Sequence, residues 1–294
     1  MPLDFILNII ASGLLNGLVY GLAALGLSVI FGVVRVVNFA HGEMMVAGMY
    51  GAVLLFGAFH LDPVLSAPIV AVVLFAVGWV MQRGLVNRFV GKPEHMQFIL
   101  LLGVATILVN GLLMIFGPDS RGLQVDYVFD TVEIGPFSLD AVRLRAGLGA
   151  LVVTAVLFAF FRFSRTGKAI RACADNPLGA KVVGLNLDGL YAFTFGIGTA
   201  VVGIAGTLMA LVVDTRPQLA SEYTLLSFII VIIGGLGSLP GALLGGVLIG
   251  MSEALAGFLL TPSLKSLFSY VVLIVVLLLR PQGLQGSRRH LRLM

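Results

Sequence analysis

The sequence predicts an all-α, polytopic integral membrane protein with eight or nine helical segments, some of them interrupted. Composition is the first reason. The 294 residues are 59% hydrophobic and only 11% charged, with a mean hydropathy of +1.08. A soluble domain carries about 25% charged residues, so this chain has too little charge to coat a water-facing surface, and its solvent is largely lipid. The second reason is the recurrence of uncharged apolar runs near the length of about 20 residues that a helix needs to cross a bilayer. The third is that no run alternates in the way of a barrel strand. Backbone at membrane depth must satisfy its own hydrogen bonds, and helices do so within one segment. No polar block or linker divides the chain, so a single transmembrane domain over 1–294 is expected.

The elements follow in order. The run 5–31 is too long for a signal-peptide core and is preceded by Asp4 with no Lys or Arg, so it reads as a retained span. Further spans are expected at 44–59, 64–81, 96–116, 144–161, 191–213 and 267–279. The stretch 225–258 is apolar but cut by Gly234-Gly-Leu-Gly-Ser-Leu-Pro-Gly241, and Pro with clustered Gly breaks a helix. It therefore reads as two segments. A weak internal repeat sets Ile30-Phe31-Gly32 and the polar residues 38–43 against Ile232-Ile233-Gly234 and the Gly-Pro break. Interrupted segments in two halves point to a transporter's central path, which makes Gly234, Gly235 and Gly237 candidates for the route or its gate. The pairs Gly17/Gly21, Gly241/Gly245 and Gly246/Gly250 have the spacing that lets helices approach closely in lipid.

Loop charges set the orientation. Arg83, Arg88 and Lys92 mark one loop, and Arg162, Arg165, Lys168, Arg171 and Lys181 mark another. The tail carries Arg280, Arg288, Arg289 and Arg292. The loop 117–140 is acidic, with Asp119, Asp126, Asp130, Glu133 and Asp140 against Arg121. Lys and Arg near span ends mark the cytoplasm, so the N-terminus is expected outside and the C-terminus inside. Arg143 and Arg145 count mildly against this.

Arg35-Val-Val-Asn38-Phe39-Ala40-His41-Gly42-Glu43 sets charged and polar groups between two uncharged runs. A charged side chain at the bilayer centre costs roughly 2.5–3.5 kcal/mol on insertion scales. Two readings stand for Asn38, His41 and Glu43. They line a polar route or its gate, or His41 and Glu43 cap the next helix, where an acid suits the helix dipole. A metal site is not expected, since two adjacent ligands fall short of the usual three or four. The single cysteine, Cys173, excludes an intrachain disulfide and a cysteine-based metal cluster.

Enzyme motifs are missing: the chain has no HExxH and no G-x-S-x-G. Gly167-Lys168 is followed by Ala169, without the upstream glycine of a phosphate-binding loop. No cofactor is expected on this chain, which cannot bind ATP by that route; if it pumps, the energy arrives from another subunit or from an ion gradient. Glu253 is the lone carboxylate well inside an apolar run, few for a gradient-driven carrier.

The segment 162–190 is too long for a turn. Thr166 is expected to cap a helix over 168–174. Asp175 or Asn176, with Pro177 at the first helical position, starts a second. Leu178, Val182 and Leu185 then share one apolar face. A helix this short has little area to hold it on lipid, so docking in a cytoplasmic partner's groove is favoured, with small residues such as Gly179 and Ala180 allowing close approach.

Residues 35–43, Gly234–Gly241 and Arg280-Pro-Gln-Gly-Leu284 together resemble the LivH-type permease of high-affinity branched-chain amino-acid ABC importers. The likeness covers nearly the whole chain in order. It implies import of leucine, isoleucine or valine, a heterodimer with a LivM-type second permease, two ATPase subunits, a periplasmic substrate-binding protein and a bacterial inner membrane. No nucleic-acid partner is expected. The resemblance also implies that an ATPase-coupling segment comprises Arg171, Ala172, Ala174, Asp175, Asn176, Pro177, Gly179, Ala180 and Gly184, although this stretch departs from the Glu-Ala-Ala form of other importers. A similar permease for urea, short amides or another small solute is the alternative, followed by a stand-alone gradient-driven carrier.

Overall fold

The computed structural model describes residues 3–135, 137–259 and 265–285. Among them are nine long helices and two short ones: α1 Leu3–Val34, α2 His41–Phe59, α3 Pro63–Gly84, α4 Glu94–Phe116, α5 Ala141–Phe163, α6 Arg165–Asp175, α7 Pro177–Val182, α8 Leu187–Met209, α9 Leu219–Gly234, α10 Leu239–Leu259 and α11 Lys265–Leu279. Seven are long and apolar enough to cross a membrane, while α9 and the apolar part of α11 are shorter. The all-α expectation holds, with one small exception. The acidic segment folds into an antiparallel hairpin of β1 Thr131–Ile134 and β2 Phe137–Asp140. The tail arginines Arg288, Arg289 and Arg292 lie outside the described residues.

Two helix pairs dominate the packing, α1 along α10 and α3 along α8. Glycine makes the first possible. A Cβ on Gly17 would sit 2.8 Å from the Gly246 carbonyl, and one on Gly13 would sit 2.9 Å from that of Gly250. These small residues pack the chain on itself, as their spacing suggested. In the second pair, Gly78 faces Thr199, whose hydroxyl donates to Leu74 O at 2.9 Å.

The halves repeat in element order. Helix α1 is followed by a break, α2, a tight turn and α3, and α8 is followed by a break, α9, a tight turn and α10. The likeness is one of element order, and its parts differ from the sequence match. The break at 35–40 has its counterpart at 210–218, while the Gly-Pro segment corresponds to the turn between α2 and α3. The local Gly pattern is shared by many packed helix ends and does not carry this register.

The bundle has a basic and an acidic end. Asn87, past α3, reaches Asp188 O at the start of α8 (3.4 Å), and Gly32 near the end of α1 lies against Gly237. The basic loops and Arg280 thus gather at one end. At the other, the Tyr127 hydroxyl donates to Asp62 Oδ2 at 2.7 Å, and Arg145 lies 3.5 Å over the Tyr127 ring. Burial, then the Asp62 carboxylate, pushes the Tyr127 phenol up to about 12. Arg143 is 3.2 Å from Asp140, and Arg145 is 4.0 Å from Asp62. Both arginines that ran against the charge rule therefore sit beside carboxylates.

Candidate functional site

The polar break folds back into the bundle. Residue Arg35 ends α1 with φ 56°. Residues 36–40 return along the helix, so α2 begins beside the middle of α1. The anchor is His41, whose Nε2–H donates to Ala23 O at 2.9 Å. Only an N–H can bond a carbonyl, which fixes the proton on that nitrogen. Ala23 lies eleven residues before Val34, about 16 Å along the axis at 1.5 Å per residue.

Asn38 makes the turn, accepting from the Ala40 N–H at 3.1 Å. Asn38 and His41 are fully buried and Glu43 nearly so. The Thr224 hydroxyl on α9 accepts from the Gly42 N–H at 2.9 Å and donates to Glu43 Oε2 at 3.4 Å. Thus Asn38, His41 and Glu43 come together, with α9 as their third wall. Two polar atoms there, Asn38 Nδ2 and His41 Nδ1, are buried with no hydrogen-bond partner. One is a donor and the other an acceptor, and buried polar groups are nearly always paired. The position at the cap of α2 belongs to Ala40, which supplies no side-chain bond.

Gly234, Gly235 and Gly237 lie elsewhere, at the basic end. Gly235 and Gly237 have φ 101° and 78°, a region that favours glycine. The last carbonyls of α9 lack helical partners, and the tail supplies them: Leu284 N–H donates to Ile233 O at 2.7 Å and Gln285 N–H to Gly234 O at 3.0 Å. Gly237 meanwhile touches Gly32, three residues before Arg35. The three motifs far apart in sequence therefore meet at or near one end of the bundle.

The loop 162–190 also sits there. Ser164, not Thr166, caps α6, accepting from the Gly167 N–H at 2.8 Å, so the helix starts earlier than expected. Asn176 caps α7 through the Gly179 N–H at 2.9 Å, with Pro177 at the first position, as the sequence suggested. Helix α7 stops at Val182, because Gly184 turns the chain at φ 86°. Leu185 therefore does not share its face. Ala180 is buried against the chain, and the outward residues are Leu178, Val182 and Val183, 75–80% exposed. Arg171, Ala172, Asp175, Asn176 and Gly184 are exposed nearby, with Ala174, Pro177 and Gly179 half-buried. In α6, Ile170 and Cys173 point inward, and burial pushes the Cys173 thiol up.

Sequence reasoning missed Phe39 and Thr224. The Phe39 ring packs edge-on against Phe98 of α4 at 4.5 Å and tilted against Phe228 of α9 at 5.1 Å. Nothing in the sequence separates these rings from other core aromatics.

Known proteins resemble this chain along most of its length. A family model described as branched-chain amino acid transport system / permease component matches residues 9–277. The high-affinity branched-chain amino acid transport system permease protein LivH of Salmonella typhimurium is 29% identical over 290 residues, covering 94% of each chain. The permease BraD of Pseudomonas aeruginosa is 27% identical over the same share. The xylose/arabinose import permease XylH of Sulfolobus acidocaldarius is 27% identical over 198 residues, 65% of this chain and 53% of that one.

Proposed function

We propose, because the chain belongs to the branched-chain amino acid transport system permease family, that it forms half of the membrane path of an ATP-driven importer of leucine, isoleucine and valine. The LivH and BraD names, over 94% of the chain, are the observation that carries the substrate class. The other half is a second, LivM-type permease, two ATPase subunits supply the energy, and a periplasmic binding protein delivers the solute. The basic end faces the cytoplasm of a bacterial inner membrane. Asn38, His41 and Glu43 lie along the route, and Gly234, Gly235 and Gly237 form a hinge at its cytoplasmic gate.

The test is uptake by the reconstituted complex. ATP-dependent entry of labelled leucine is expected, competed by valine and isoleucine and not by urea or xylose. Competition by urea or xylose alone would overturn the substrate class. This chain purified by itself is expected to hydrolyse no ATP, and hydrolysis by it alone would overturn the division of labour.

Coupling runs through Leu178, Val182 and Val183 at the basic end, since an exposed apolar ridge there suits a groove on an ATPase. Losing one buried apolar anchor at an interface costs about 2 kcal/mol, roughly thirtyfold in affinity. Leu178→Asp and Val182→Asp are therefore expected to release the ATPase subunits on purification and to stop uptake while the chain still inserts. Full assembly with normal uptake would place this ridge on lipid.

A further inference from the structure

The chain leaves one spanning helix almost uncovered. Only Gln97, Leu101 and Ala105 of α4 are buried. Near its ends α4 is held by two aromatic contacts, Phe98 on Phe39 and Phe116 stacked on Tyr50 at 4.0 Å. Between them Gly103, Thr106 and Asn110 form an exposed stripe directed away from the bundle. A Cβ on Gly103 would meet nothing within 4 Å.

Exposed Ile107, Met114 and Ile115 suit lipid, but Asn110 does not. Its amide donates one bond, to Thr106 O at 2.8 Å, and the Thr106 hydroxyl turns back to Leu102 O at 2.9 Å. An Asn side chain offers two N–H donors and two acceptor lone pairs. Hydrocarbon can meet none of the rest, and an unmet polar group there costs several kcal/mol.

Six residues separate Asn110 from Phe116, about 9 Å of helix, and sixteen separate it from Glu94, about 24 Å. The stripe therefore runs along the interior of α4, a helix long and apolar enough to cross a membrane. The occupant must be embedded, must bring hydrogen-bonding side chains, and can approach closely at Gly103, as helices that associate in membranes do.

We infer that the outward face of α4, centred on Gly103, Thr106 and Asn110, is the seat of a helix of the second permease subunit. The inference rests on the pairing of two different permeases proposed above. It assigns that pairing to α4 rather than to the exposed apolar faces of α3 or α5, which present no such polar stripe among the described residues, or to α11, whose exposed polar side chains Ser266 and Tyr270 lie in its first six residues.

The test uses the intact transporter carrying a photo-reactive benzophenone amino acid at Asn110, at Ile107 beside it, or at Val72 on the exposed face of α3. Irradiation is expected to join positions 107 and 110 to the second permease and to leave Val72 joined to lipid. Asn110→Leu is expected to lower recovery of the second permease at least threefold, with Asn110→Gln restoring most of it. A second permease that co-purifies but crosslinks only at Val72, or at none of the three, would overturn the seat and leave the pairing intact. Crosslinks at 107 and 110 to another copy of this chain would overturn the seat, and with no second permease recovered they would overturn the pairing as well. Unchanged recovery with Asn110→Leu would also overturn the role of the stripe.

Discussion

Gly42→Ala is expected to abolish recovery of the folded transporter. Gly42 is the second residue of α2, where that helix meets the start of α9. A Cβ there would collide with Ala220 O and would lie 2.5 Å from the Thr224 hydroxyl and 2.6 Å from its backbone nitrogen. Two of these neighbours are backbone atoms, which cannot rotate aside. Overpacking of this kind costs typically about 1–3 kcal/mol when side chains can yield, so here the cost lies at the upper end or beyond. It also pulls apart the Gly42 N–H bond to Thr224, 2.9 Å long. Against a net stability of about 5–15 kcal/mol, that single methyl group is a large fraction.

The control lies in the same helix. Gly57 faces open space, and Ala there gains up to about 1 kcal/mol of helix propensity. Gly57→Ala is expected to be neutral or stabilising. Detergent melting curves and the yield of assembled complex separate the two. Equal melting of both variants would mean that α2 and α9 are not packed this closely.

Much of this arrangement was legible in the sequence and some was not, for physical reasons. The break at 35–40 announces itself because charge between apolar runs is costly in lipid, and the break at 235–238 because clustered Gly ends one helix and Pro suits the first turn of the next. The identity of the α6 cap was not legible: Ser164 and Thr166 are both good caps two residues apart, and only packing chooses between them. The outward face of α7 was misjudged because Gly184 ends the helix one turn before Leu185. The depth of Asn38 to Glu43 was hidden too. It depends on the bond from His41 to Ala23, eighteen residues back, and the break alone does not say that the chain turns inward. The matched break at 210–218 carries no sequence likeness to 35–40, since irregular backbone preserves a position in the fold without preserving side chains.

His41→Gln and Asn38→Ser are expected to cut leucine uptake at least about tenfold, or 1.4 kcal/mol, while leaving assembly and basal ATP hydrolysis unchanged. The choice of substitutions follows from the bonds. A Gln amide reaches about as far as the Nε2 of His and can still donate to Ala23 O, but it removes the unpaired Nδ1. A Ser hydroxyl can still accept from the Ala40 N–H and close the turn, but it removes the unpaired Nδ2. Each variant keeps the contact that holds the fold and deletes the atom that holds nothing in the free chain.

An unpaired buried polar atom costs about 1–3 kcal/mol. Two of opposite kind beside one break, with His41 bonded well down α1 at Ala23, are suited to a ligand or water that arrives during transport. A zwitterion passing apolar walls needs such groups in succession, and backbone freed at a helix break supplies others. A fall in uptake with intact assembly and hydrolysis places these atoms on the route. Uptake at the parent rate in both assembled variants would show that Asn38 and His41 only shape the turn and fix α2 against α1. In that case the route runs elsewhere on the chain.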